Sequence, residues 1–197
     1  MAASKPQPSE LPTLPFVTQR AFAAWLTKHH ASPDGLWIKM ARAKSGIESI
    51  SYQEALEVAL CWGWIDGQSR RIDETWFVQK FTPRRARSMW SKINRERVTQ
   101  LIAAGKMKPA GLAEIERAKQ DGRWERAYDS PSRATPPEDL LAALAKNRKA
   151  AAFFAKLNSI NRYAILHRVQ TAKKPETRAR RIAQFVAMLA RHEKLHE

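Results

Sequence analysis

The stretch YDSPSRATPP, Tyr128–Pro137, places three prolines in ten residues. Proline removes a backbone donor and fixes φ, so neither a helix interior nor a central strand runs through this stretch. The hydrophobic period differs on its two sides. Before it, LWIKMAR (Leu36–Arg42) and TWFVQKF (Thr75–Phe81) carry the apolar, β-branched and aromatic residues of strands. After it, Leu140, Leu141 and Leu144, then Ile182, Phe185, Val186 and Leu189, recur at helical spacing. The expected organisation is an α+β core over residues 16–127, a linker over 128–137 and a helical C-terminal unit over 138–197. Residues 1–15, MAASKPQPSELPTLP, hold four prolines and no apolar core. They are expected to form a disordered, proline-rich arm and not a signal peptide.

Within the core, Thr18 is placed to cap a helix over Gln19–Lys28. In LWIKMAR, Leu36, Ile38 and Met40 face one way and Trp37 the other. Ser51 and Glu54 form a capping box for a helix over Tyr52–Trp62, which Gly63 ends. QSRRID and TWFVQKF read as a hairpin turning near Asp73–Glu74, which makes a three-stranded antiparallel sheet with LWIKMAR. Further helices run from Ser88 or Ser91 to Gly105, with Ile102 on the apolar side, and from Pro109 to Gly122, with Leu112 and Ile115 inward. Past the linker, Thr135 and Glu138 have the spacing of a capping box.

The formal net charge is +16. A charge of that size concentrates anions near the chain and repels free polycations. Expected partners are therefore an anionic small molecule or phosphate group, with nucleic acid as an alternative. No apolar run reaches the ~18 residues of a membrane span, so no membrane insertion is expected and the cytoplasm is the expected location. Cys61, the single cysteine, excludes an intramolecular disulfide, and its apolar neighbours read as a buried thiol. No histidine has a partner at metal-ligand spacing, and glycine-rich phosphate loops are missing, so neither a metal nor a cofactor is expected.

Arginines supply the sharpest candidate site. Arg70, Arg71, Arg84, Arg85, Arg87, Arg95 and Arg97 fall in the hairpin and the helix after it. Trp25, Trp37, Trp62 and Trp76 lie on apolar faces and read as core, whereas Trp64, beyond Gly63, beside Asp66 and ahead of Arg70 and Arg71, and Trp90, after TPRRARS, read as stacking candidates. The candidate anion-binding set is Trp64, Asp66, Arg71, Arg84, Arg85, Trp90 and Asn94. A second basic patch comprises Lys173, Lys174, Arg178, Arg180 and Arg181. Its two lysines oppose the dipole at a helix start. No catalytic residue is assigned. A reading of Asp66 as general base lacks any nucleophile to serve.

GWIDGQSRRID, FVQKFTPRRARSMWSKINRERVTQLIAAGKMKPAGL and FFAKLNSINRYAILHRVQTAKKPETRARRI, read in order, resemble the YdeI/OmpD-associated, or bacteriocin-protection, family. The resemblance implies resistance to bacteriocins or antimicrobial peptides and, by the family's name alone, association with a porin. It carries no catalytic residues to this chain.

Overall fold

The computed structural model describes residues 11–197. It is α+β and divides into two units, one made of the chain through Ser88 with Glu96–Gly122, the other of Met89–Arg95 with Arg123–Glu197. The expectation for residues 1–10 lies outside the described residues, but Thr13–Pro15, within the expected arm, form a strand, β1.

The first unit is built on a sheet of order β1-β2-β4-β3. Strand β2 is Leu36–Ala41, β3 is Trp64–Arg71 and β4 is Trp76–Pro83. β1 pairs parallel to β2, so the sheet is four-stranded and mixed and not the three-stranded antiparallel sheet expected. A three-residue edge strand ending in proline is too short for alternation to reveal, and an edge is where proline is tolerated.

Helix α1, Gln19–His29, starts at Thr18, whose Oγ1 accepts from Ala21 N at 3.2 Å. Helix α2, Tyr52–Cys61, starts with the Ser51–Glu54 capping box. Both lie over one face of the sheet. Phe22 of α1 meets Phe81 at 5.9 Å, and Trp25 meets Trp64 edge-on at 5.8 Å. Leu36, Ile38, Met40, Trp64 and Phe81 are fully buried there. Burial of each such side chain contributes roughly 1.5–3 kcal/mol. Helix α4, Pro109–Gln120, crosses the end of α2 where Gly111 comes against the Cys61 carbonyl. Cys61 is buried, and that burial pushes its thiol pKa up.

Helix α3, Lys92–Ala103, straddles the division between the units. Ile102 and Leu112, both expected inside, are 45% and 41% exposed.

The second unit contains α5 (Glu138–Ala145), α6 (Arg148–Lys156), α7 (Ser159–Gln170) and α8 (Pro175–Ala190). Leu140, Leu144, Phe154, Ile165, Ile182 and Phe185 are among its core residues. Asn147 and Asn158 cap α6 and α7 through their side-chain oxygens. The residue before α5 is Pro137, with no side-chain cap, so the expected Thr135–Glu138 box does not form.

The stretch 128–137 lies inside this unit. Tyr128 N donates to Trp90 O, and its carbonyl accepts from Lys92 N. The Asp129 carboxylate accepts from Gln170 at 2.7 Å and pairs with Lys92 at 2.9 Å.

Candidate functional site

Paired residues of neighbouring strands point to the same side of a sheet. Leu36 and Asp66 pair with Phe81, and Ile38 and Ser69 pair with Gln79, on the helix-covered face. The opposite face carries Trp37 paired with Lys80, Lys39 and Arg70 paired with Val78, and Ala41 paired with Trp76.

Arg70 reaches this second face because β3 is irregular. Between Asp66 and Ser69, three residues along β3, the partner strand advances only from Phe81 to Gln79. The extra residue is a β-bulge, and it inverts the side-chain alternation of everything after it. Without it, Arg70 would share the face of Asp66. Gln79 holds the bulge from beneath. It is 5% exposed, and its Nε2 donates to the carbonyls of Gly67 at 2.9 Å and Gln68 at 3.3 Å.

Three cations and two indoles then meet on this face. The Arg70 guanidinium carbon lies 4.5 Å from the Trp37 centroid, Lys80 Nζ lies 6.0 Å from the same ring, and Lys39 Nζ lies 4.3 Å from Trp76. Such contacts are worth roughly 0.5–1 kcal/mol each at exposed sites and leave the charge available. Trp37, Trp76, Lys39 and Lys80 are half-buried, and Arg70 is exposed. Val78, at 9%, is covered by the platform around it. Lys39 and Arg70 flank it across the sheet, and Trp76 and Lys80 flank it along β4.

Among the described residues none of Lys39, Arg70 and Lys80 forms an ion pair with a carboxylate. Asp73 is exposed in the β3–β4 turn, and Lys39 is among the charges acting on it. Its Oδ1 accepts from Thr75 N at 2.7 Å and Trp76 N at 2.8 Å. Those backbone bonds, aided by Lys39 and Arg42, hold its pKa below the ordinary aspartate value.

Lys80 also lines a cavity of about 600 Å³, which continues along β4 to Thr82 and past its end to Arg84 and Arg85, and Asp34 and Gly35 also line it. Gly35 is required there, because a Cβ would stand 2.3 Å from the Phe81 carbonyl oxygen. Arg84 is 5% exposed, and its backbone N–H donates to Gly63 O. Arg85 is exposed at the turn closed by its N–H to Ser88 Oγ.

The sequence-predicted residues are distributed differently. Trp64 is fully buried and donates Nε1 to His30 O at 2.9 Å. Asp66 accepts from the Tyr52 hydroxyl at 2.9 Å. Arg71 is turned to its own hairpin, with Glu74 and the Asp73 carbonyl as partners. Trp90 and Asn94 belong to the second unit, where Trp90 is 1% exposed and meets Trp124 edge-on at 5.2 Å. Asn94 N donates to Ser91 Oγ in the first turn of α3. Only Arg84 and Arg85 of that set line the cavity that Lys80 shares.

In the second basic patch, Lys173, Lys174 and Arg180 are exposed. Arg178 forms a bidentate pair with Asp139 at 2.6 and 2.9 Å, and Arg181 donates to Arg168 O. A cavity of about 780 Å³ between α5 and α8 reaches Asp139 and Arg178, but its wall is mostly apolar, with five alanines beside Pro175, Ile182 and Val186.

Trp37, Trp76, Lys39 and Lys80 were not singled out from sequence. The signal was present in W-x-K (Trp37, Lys39) and W-x-V-x-K (Trp76, Val78, Lys80), which period two puts on one face. What hid it was the reading of both indoles as core.

Residues 14–114, which hold this face and all but Leu11 of the cavity lining beside it, match a family model described as a domain of unknown function (DUF8412). The chain belongs to that family. Residues 133–192 match a second model, described as "Bacteriocin-protection, YdeI or OmpD-Associated". The resemblance carried by FFAKLNSINRYAILHRVQTAKKPETRARRI falls in this second span, and GWIDG and TPRR fall in the first. No curated protein and no solved structure matches the chain. Among the described residues no helix is long and apolar enough to cross a membrane, and no group of three or more His, Cys, Asp or Glu is placed to hold a metal ion.

Proposed function

We propose that this chain is a non-enzymatic binder of an anionic ligand, held by the open sheet face of its first unit and the adjoining Arg84–Arg85 cavity. The observation that carries this reading is the placement of Lys39, Arg70 and Lys80 over Trp37 and Trp76 with no carboxylate paired to any of them among the described residues. Cations stacked on indoles are partly stripped of water and oriented before a ligand arrives. That lowers the cost of ordering them on binding. The overall charge of +16 adds long-range attraction and fast association.

The family description of residues 133–192 names bacteriocin protection. With this charge the chain would repel a cationic peptide. A protective role then runs indirectly, through a stress pathway or through competition for the anionic sites such peptides seek.

Inorganic polyphosphate titrated into the full chain at two salt concentrations tests the binding reading. The wild type binds, with affinity falling as salt rises. The triple substitution Lys39→Gln, Arg70→Gln, Lys80→Gln lowers both affinity and salt slope. Unchanged binding in the triple variant would refute the assignment to this face.

A further inference from the structure

We propose that the ligand class of the open sheet face is single-stranded nucleic acid, with Trp37 and Trp76 as base-stacking rings and Lys39, Arg70 and Lys80 as phosphate contacts. This rests on the anion-binding reading and narrows it.

Three observations favour this occupant over other polyanions. The first is the pairing of charge with aromatic surface. A phosphate alone needs only the cations, and cations reach further into water from an aliphatic surface. Here each of the three lies against an indole. Flat rings beside fixed cations match a polymer that alternates flat rings with negative charges, which is the basis of sequence-tolerant single-strand binding.

The second is spacing. Trp37 pairs with Lys80, and Trp76 pairs with Ala41, four residues further along β2. At a rise of ~3.3 Å per residue the two indoles stand ~13 Å apart along the strands. Val78 and Lys39 occupy the interval. A chain laid along the seam of β2 and β4 therefore meets Trp76, then Lys39 beside Val78, then Trp37 beside Lys80.

The third is the shape of the surface. A sheet face with both indoles half-buried offers no helix to enter a major groove, so it is suited to unstacked bases, which lie flat on rings and on the guanidinium plane of Arg70. Nor does it suit a lipid surface. The aliphatic side chain at its centre, Val78, is buried beneath its neighbours and cannot insert.

The test is fluorescence anisotropy of the full chain with a labelled thymidine oligonucleotide of about 15 nucleotides, a site of the size such surfaces occupy. A duplex of equal length and inorganic polyphosphate serve as competitors, at about 50 mM salt, where phosphate contacts are strong. The expected result is tighter binding of the single strand than of either competitor, with quenching of indole fluorescence. Trp37→Leu with Trp76→Leu should weaken oligonucleotide binding about tenfold or more and polyphosphate binding by a clearly smaller factor, since the cations stay while the stacking rings are lost. Thermal unfolding checks that this variant folds. If it does not, the exposed Arg70→Gln and the preference of the wild type for single strand over polyphosphate carry the test. Polyphosphate binding as tight as the oligonucleotide, with no indole quenching, overturns the nucleic-acid inference and leaves the anion reading standing. Binding of neither overturns both.

Discussion

The guanidinium of Arg70 on β3 lies 4.5 Å from the ring of Trp37 on β2, although β4 runs between the two strands. The contact passes over Val78, which pairs with Arg70 directly. It exists because the bulge between Asp66 and Ser69 changes which residues of β3 face Trp37.

Gln79→Leu tests that dependence. The substitution keeps the volume but leaves the Gly67 and Gln68 carbonyls without the Nε2 donor they now share. A lost buried partner costs about 1–3 kcal/mol. Urea unfolding should show a loss in that range. Polyphosphate affinity should also fall, because Arg70 is no longer held over Trp37. Lost stability with affinity intact would mean that the bulge does not position the site.

Gly111→Ala should destabilise the first unit. A Cβ there would stand 2.2 Å from the Cys61 carbonyl oxygen and 2.8 Å from its carbon, and neither backbone atom can move alone. The ends of α2 and α4 would have to separate. Overpacking of this kind costs about 1–3 kcal/mol, read as a lower urea midpoint at unchanged m-value.

In the second unit, Asn161 is 1% exposed and ties the C-terminal tail to α7. Its Oδ1 accepts from Leu195 N at 3.0 Å and His196 N at 2.8 Å, and its Nδ2 donates to His196 O at 3.0 Å. Asn161→Leu removes all three at once. The predicted cost is about 2–3 kcal/mol, together with faster amide exchange at Leu195 and His196. Fast exchange at both amides in the wild type would contradict the anchoring role.

His167 supplies a pH dependence. Burial, with smaller contributions from Arg168 and Arg181, lowers its pKa from the ordinary value. Its ring meets those of Tyr128 at 4.8 Å and Tyr163 at 5.6 Å. A histidine whose folded-state pKa is depressed contributes stability above its unfolded pKa of about 6.5, and that stability is lost as pH falls through the folded value. Thermal midpoints should therefore drop on going from about pH 7.5 to 5, and His167→Phe should drop less. Tyr163 acts at the other end of the scale. Burial pushes its pKa up to about 12, aided by Tyr128 and Asp129, so its contribution is lost between about 10 and 12.

Local rules made several elements readable. Alternation in LWIKMAR put Leu36, Ile38 and Met40 on the buried face, and the Ser51–Glu54 box opened α2. The hairpin turn fell at Asp73, although the reason is its side chain accepting from Thr75 and Trp76, which no dipeptide rule signals. The candidate site was harder to read, because it depends on register. The mark of the bulge is Gly67, which stands just ahead of the QSRRID stretch read as the strand, so alternation within that stretch did not fix the face of Arg70. Trp64, a stacking candidate by its place beyond Gly63, starts β3 under α1, whereas Trp37 and Trp76, whose apolar neighbours read as core, carry the cations. Long-range packing decides which indole is covered, and neighbouring residues in sequence do not report it.

Amide chemical-shift mapping on addition of inorganic polyphosphate tests the site most directly. The predicted shifts lie in β2 and β4, at Trp37–Lys39 and Trp76–Lys80, at Arg70 across the bulge and at Arg84–Arg85. Shifts confined to Lys173–Arg181, or none at low salt, would contradict an anion-binding sheet face.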